Sequence, residues 1–211
     1  FIIGKDGKIE WIGHPMSMDQ PLAAVVDGSW DRAAARKKHD ADQAMKNEMN
    51  RIRSALSAAI QAKDQTAAME ILDQGILRFP ENSSLKMQKF NLLLTRFHQY
   101  KAAYILGNQL VDINFEDSRV LNSIAWTIAD TEGLEVRDLE LAMKAAVQAN
   151  QLTGSEDAAV LDTLARVYYE TGDLRGALKW QNRASKYAAA GGQGDSIRQV
   201  LQQYQDEFDK K

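Results

Sequence analysis

Apolar side chains recur at helical intervals along most of the chain. In residues 160–185, Leu161, Leu164, Ala165 and Tyr168 fall at i, i+3, i+4 and i+7, one stripe of a helix. After the turn Thr171-Gly172-Asp173, Leu174, Ala177, Leu178 and Ala184 repeat the stripe. Small Ala165 and Ala177 let two backbones approach closely, while Leu164 and Tyr168 fill the space beside them. Such a helix pair has an apolar outer face that it cannot bury alone, so it needs further pairs stacked on it.

The same pattern recurs upstream. Second helices are expected at Ala68-x3-Leu72, Ala103-x3-Gly107, Ala142-x3-Ala146 and Ala177-x3-Gln181, the first two and the last two each 35 residues apart. Phe90 and Ile124 stand 34 residues apart on first helices, and Pro80 closes the first pair. Residues 132–137 lengthen the turn of the third pair. Residues 188–194 read as a Gly-rich loop. Ser196-x-x-Gln199 then has the spacing of a capping box opening a last helix, with Ile197, Val200, Leu201, Tyr204 and Phe208 along one side. Its other face is polar, as suits a capping helix.

The N-terminal part has a different rhythm. FIIGKDGKIEWI, residues 1–12, reads as strand, turn, strand about Asp6-Gly7, a hairpin signal. Ser17-x-x-Gln20 has capping-box spacing ahead of a short apolar helix, residues 22–26, stopped by Gly28. From about Ser29 no Gly or Pro interrupts a helix until about Lys63. Its first half is Ala-rich and charged, and its second half gains Met45, Met49, Ile52, Leu56 and Ile60. We therefore divide the chain into residues 1–30 (hairpin and short helix), 31–48 (connecting helix) and 49–211 (helical repeats with a capping helix).

The run L-x2-L-A-x2-Y from Leu161, followed by Ala177, resembles a tetratricopeptide repeat (TPR), with Gln181 where that family has an aromatic and no closing Pro at Ala189. The hairpin and helix of residues 1–30 are similar to the closing segment of a thioredoxin-like domain of the redoxin and peroxiredoxin-like branch. The two resemblances imply an all-α, TPR-like superhelix of about four helix pairs plus a capping helix, preceded by a β-hairpin remnant of a thioredoxin-like fold. The redox cysteines and cis-proline of the second family would precede Phe1, so no catalytic residue carries over. The opening Phe-Ile-Ile, without Met, leads us to expect a chain that begins inside a longer protein.

Composition narrows the chemistry. Of 211 residues 45% are hydrophobic, enough for one extended domain, and the net charge of −3 argues against binding nucleic acid through its phosphates. Cysteine is absent, which excludes thiolate chemistry and disulfides from these residues. No apolar run reaches the length of a membrane span. His14, His39 and His98 are scattered on polar positions, so no metal and no cofactor is expected. Gly191-Gly-Gln-Gly194 lacks the G-K-[ST] ending of a phosphate loop. Arg36-Lys37-Lys38 has Asp31, Asp40 and Asp42 nearby and reads as a solvated face.

The TPR resemblance implies a concave groove lined by the first helices. Carried over residue by residue, it names Gln88, Leu92, Thr95 and Arg96 in the second repeat. The third repeat offers Asn122, Trp126, Ala129 and Asp130, and the fourth Asp162, Arg166, Tyr169 and Glu170. Aromatic and Arg side chains are frequent anchors for a bound segment. Equally open are Trp126 as inter-repeat core and Arg166 as the partner of a local carboxylate. The terminal-carboxylate clamp of some TPR proteins is not matched, since Arg53 has Ser57 four residues on. The expected function is a non-catalytic protein–protein interaction scaffold that takes a protein or peptide ligand. The alternative is the helical arm of a thiol–disulfide oxidoreductase or peroxiredoxin-like enzyme whose cysteines lie upstream. A purely oligomerising module would need a groove blocked by its own side chains. Self-association through the apolar hairpin is expected, membrane partners are not, and a periplasmic or secreted location is left open by the redoxin resemblance.

Overall fold

The computed structural model describes residues 1–189 and 191–210, and among them the chain is predominantly helical. Ten α-helices and two short strands follow in order. It divides into two compact units, Phe1–Ile71 and Leu72–Lys211. The division falls inside a helix, residues 65–78.

In the first unit β1 (Ile2–Ile3) pairs antiparallel with β2 (Ile9–Trp11), matching Ile2 to Trp11 and Ile3 to Ile9 across a bulge. A 3₁₀ turn at Pro15–Ser17 leads into α1 (Asp19–Asp27). Ser17 lies inside that turn, and Met18 takes the N-cap position without a side-chain bond, so the predicted capping box does not form. The preceding Pro15 starts the turn earlier, with His14 Nδ1 accepting from the Met16 amide. Gly28 ends α1 in the left-handed conformation, which a side chain would resist. α2 (Arg32–Gln61) is the long uninterrupted helix, capped by Asp31, whose carboxylate accepts from the Ala34 amide at 2.9 Å. The Trp30 indole donates to Glu10 O at 3.0 Å, and Arg32 forks onto Asp6 and Glu10, tying the hairpin to the start of α2. Ile2 is buried, whereas Phe1, Ile3, Ile9 and Ile12 stay exposed.

α3 (Gln65–Arg78) runs out of the first unit and stops just before Pro80. α4 (Ser83–Asn91) continues as a π-helical turn, Leu92–Arg96, and is followed by α5 (Tyr100–Ile113). Next come α6 (Ser118–Asp130), α7 (Leu139–Leu152), α8 (Ala158–Glu170), α9 (Leu174–Tyr187) and α10 (Gln193–Phe208). The helices pack as α4 on α5, α6 on α7 and α8 on α9, with α6 also against α8 and α10 against α9. The starts of α6, α7, α8 and α9 share one device. Asp117, Asp138, Asp157 and Asp173 each accept from an amide of the first turn, satisfying a donor that the helix leaves over.

The inward stripes are those of the sequence pattern. Phe90, Leu121, Ile124, Leu161 and Leu164 are buried, facing Ala103, Ala142, Ala146 and Ala177, which are fully enclosed. Gly107 continues the row of small residues at a close approach, since an added Cβ would lie 2.9 Å from Leu141 Cδ2 and 3.0 Å from Phe90 Cε2 and would have to push those side chains aside. The long turn of residues 131–138 is held by Arg137, whose guanidinium donates to Ile128 O and, at 2.7 Å, to Thr131 O. Of the predicted loop 188–194, Ala190 lies outside the described residues, as does Lys211 at the end of the expected repeat region. The loop closes early. α10 starts at Gln193, not at a Ser196 cap, because the amides of Gly194 and Asp195 bond back to Gly191 O and Gly192 O.

Candidate functional site

The first helices of the last two pairs carry two parallel polar stripes. On α6, Leu121, Ile124, Ala125 and Ile128 face the core, which leaves Asn122, Trp126 and Asp130 on the opposite side at intervals of four. On α8, Leu161, Leu164 and Ala165 are buried, leaving Asp162, Arg166 and Glu170 in the equivalent row, with Tyr169 beside them. Because α6 packs against α8, the rows meet.

Arg166 is the junction. Its Nε lies 3.3 Å from Asp130 Oδ1 across the two helices, and its Nη2 lies 2.9 Å from Glu170 Oε1 one turn along α8. Arg137 reaches the same Glu170 from the long turn at 3.7 Å. Burial works against the Arg166 charge, but Glu170, Tyr204 and Asp130 outweigh it and hold the guanidinium above its ordinary pKa. Its guanidinium carbon is 5.5 Å from the centre of the Tyr169 ring.

The far side of this network is supplied by α10. Tyr204 stacks on Tyr169, and the Tyr169 hydroxyl donates to Glu207 Oε2 at 2.9 Å. That bond, with a smaller contribution from burial, raises the Tyr169 pKa. Tyr204 is buried, and burial pushes its hydroxyl up to about 12. Arg166 faces that hydroxyl and favours its ionised form, yet no pair of atoms there meets hydrogen-bond geometry, so the Tyr204 oxygen is left without a partner. Below it, Gln181 Nε2 donates to Asp162 Oδ1 at 2.6 Å and to Ile197 O at 3.1 Å. Gln181 is fully buried, where the TPR resemblance would place an aromatic side chain. Burial raises the Asp162 pKa, with the Gln181 bond opposing and Asp130 adding to it.

Arg166 thus pairs with local carboxylates, and with Tyr169 it packs under α10. Trp126 is 38% exposed, so its ring is partly covered by the protein and partly open to solvent. Asn122 is half-buried with its Oδ1 unpartnered, and Ala129 is fully enclosed. In the earlier pair Gln88 and Leu92 are half-buried, and Thr95 and Arg96 are exposed on the π-helical turn. A π turn carries more residues than an α turn, so Thr95 and Arg96 do not keep the angular positions of Tyr169 and Glu170. Tyr204, Glu207, Gln181 and Arg137 were not foreseen as members of the site. The one sequence signal was Gln181, a polar residue inside an otherwise apolar stripe.

Among the described residues no cluster of His, Asp and Glu could hold a metal ion, and no helix is long and apolar enough to cross a membrane. No protein-family model matches the chain, and no curated protein matches it.

Proposed function

We propose that this chain is a TPR-like interaction scaffold, its helix pairs stacked as a superhelix and its first helices offering a groove to a segment of a protein partner. The observation that carries this reading is Trp126, an aromatic 38% exposed beside the ordered Asp130–Arg166–Glu170 row. An aromatic ring left partly open to water next to fixed charges has the makeup of an interface anchor. Asn122 and Asp162 flank it along the two rows, and in this reading Gln88 and Leu92 extend the surface to the earlier pair, while the π turn carries Arg96 off the row. The role is non-catalytic. The test compares partners captured and cross-linked by the wild-type chain and by Trp126→Ala, which removes an exposed ring and leaves the helical circular dichroism unchanged. Loss of captured partners supports the groove, and an unchanged set overturns it.

A second reading, the helical arm of a thioredoxin-like oxidoreductase, is favoured by the hairpin and α1. It is tested by looking for a C-x-x-C or peroxidatic cysteine in the coding sequence upstream. Self-association through the hairpin is supported by the exposure of Phe1, Ile3, Ile9 and Ile12. Light scattering on the wild type beside Ile3→Lys/Ile9→Lys decides it, since equal masses remove the hairpin from any account of assembly.

A further inference from the structure

The outer face of α9 carries a feature that the groove does not use. The helix contains Arg175, Lys179, Arg183 and Lys186 and not one acidic residue. This stands out in a chain whose 26 basic residues are balanced by 29 acidic ones. The four cations fall at i, i+4, i+8 and i+11, within one quarter of the helix circumference, and span about 16 Å. Ala177, Gln181 and Ala184 point the other way and are fully buried. The basic row is therefore centred on the side opposite the core, and all four residues are exposed.

Unlike Lys89, Lys144 or Arg166, none of the four forms an ion pair with a described residue. Three are nonetheless positioned. The Lys179 ammonium sits 4.9 Å from the centre of the Trp180 ring, and the Arg183 guanidinium 5.9 Å from that of Tyr187. Arg183 Nε donates to Ser155 O at 2.9 Å, leaving the rest of its fork outward. Arg175 lies 6.0 Å from the Phe208 ring. Ring contacts and a carbonyl restrain these side chains without neutralising them, so less rotamer entropy is lost when an anion arrives.

We infer that the outer face of α9 docks an acidic helix of a partner protein, a helix with carboxylates at the same i, i+4, i+8 interval. The match is one of pitch, because side chains four apart on either helix advance by the same 6 Å or so. A long polyanion fits less well. The basic row is one residue wide, and the next element in the chain carries exposed Asp195 and Asp206 on α10 and Asp209 just past its end, acidic groups that disfavour a phosphate chain running beyond the row. This surface is independent of the groove around Trp126.

The test uses the full chain at low salt and fluorescence anisotropy with three labelled probes. The first is an Ala-based helical peptide of about 18 residues with Glu at i, i+4, i+8 and i+11. The second is the same peptide with Gln for Glu, and the third is an oligothymidylate of the same formal charge as the first. The expected result is saturable binding of the Glu peptide that weakens with added salt, no binding of the Gln peptide, and weaker binding of the oligonucleotide. Lys179→Glu with Lys186→Glu should reduce Glu-peptide affinity by about tenfold or more, and Lys179→Gln with Lys186→Gln by roughly threefold. Lys37→Glu with Lys38→Glu on α2, which changes net charge equally, should leave it within about twofold. Absence of Glu-peptide binding, equal losses in the α2 control, or an oligonucleotide that binds as tightly as the peptide would each overturn the proposal.

Discussion

Tyr169 of α8 and Tyr204 of α10 lie face to face, their ring centres 4.6 Å apart and their planes 11° from parallel. One ring is partly open to water and carries a hydroxyl bonded to Glu207, while the other is buried with its hydroxyl unpartnered. The stack makes the last helix part of the candidate groove rather than a passive lid. Replacing Arg166 and Tyr169 together would remove two of the side chains that α10 packs on, so that double variant probes folding as well as binding. Trp126 is the cleaner reporter.

Tyr204 separates packing from polarity. Tyr204→Ala should cost about 3–5 kcal/mol by leaving an aromatic-sized void between α8, α9 and α10. Tyr204→Phe should be neutral within about 0.5 kcal/mol or mildly stabilising, since the hydroxyl it removes has no partner to lose. Urea unfolding of both variants measures the difference. A Phe variant as unstable as the Ala one would mean that the hydroxyl is bonded after all.

Asp162 gives a pH dependence of defined sign. Its folded pKa is raised above the ordinary 3.8, chiefly by burial, so the native state holds this proton more tightly than the unfolded chain does. Its contribution to stability therefore falls as pH rises from 3.8 through the raised folded value, and the penalty is complete at neutral pH. Asp162→Asn keeps an oxygen acceptor for Gln181 and removes the charge. The variant should equal or exceed the wild type in stability at neutral pH and lose that advantage in acid. Denaturation of both proteins across this window checks it, and a constant difference at every pH would place the titration elsewhere.

Gly107 tests the closeness of α5 to its neighbours. A valine there must displace both Leu141 and Phe90, so Gly107→Val should destabilise by about 2–3 kcal/mol despite the higher helix propensity of valine. Leu164→Ala, at a site that is 1% exposed, should cost about 2–5 kcal/mol through a cavity. Thermal or urea unfolding reads both. Losses below about 1 kcal/mol would place these residues outside the tight contact.

Arg32 anchors the hairpin. Hydrogen bonds from its guanidinium are the main cause of the lowered pKa of both Asp6 and Glu10. Because those values are depressed in the folded state, the anchoring is present above the ordinary 3.8 and 4.5 and is lost as pH falls through the folded values. Arg32→Ala should release the hairpin at neutral pH as acid does in the wild type, seen as faster amide exchange in β1 and β2 with α2 intact. Exchange that is unchanged by both would mean that the Trp30 bond to Glu10 and the burial of Ile2 suffice to hold it.

What the sequence determined by itself was the helices and their inward stripes. Ile124, Leu161, Leu164 and the Ala row are buried as the spacing requires, because a 3.6-residue period leaves one face per helix able to enter a core. Asp caps fixed most helix starts, and Gly28 and Pro80 two helix ends, for equally local reasons. The start of α10 was decided instead by the Gly191–Gly194 backbone, whose turn bonds pre-empt the Ser196 cap. The π turn after Asn91 also escaped the linear count. The site was less legible still. Arg166 and Tyr169 were carried over from the TPR resemblance, which names groove positions on one helix at a time, but their partners Asp130, Arg137, Tyr204 and Glu207 come from α6, the long turn and α10. Which charge pairs with which, and which hydroxyl is shut from water, depends on residues up to 38 positions away. A helical period records which way a side chain faces. Only the packing of one helix on the next decides what it meets there.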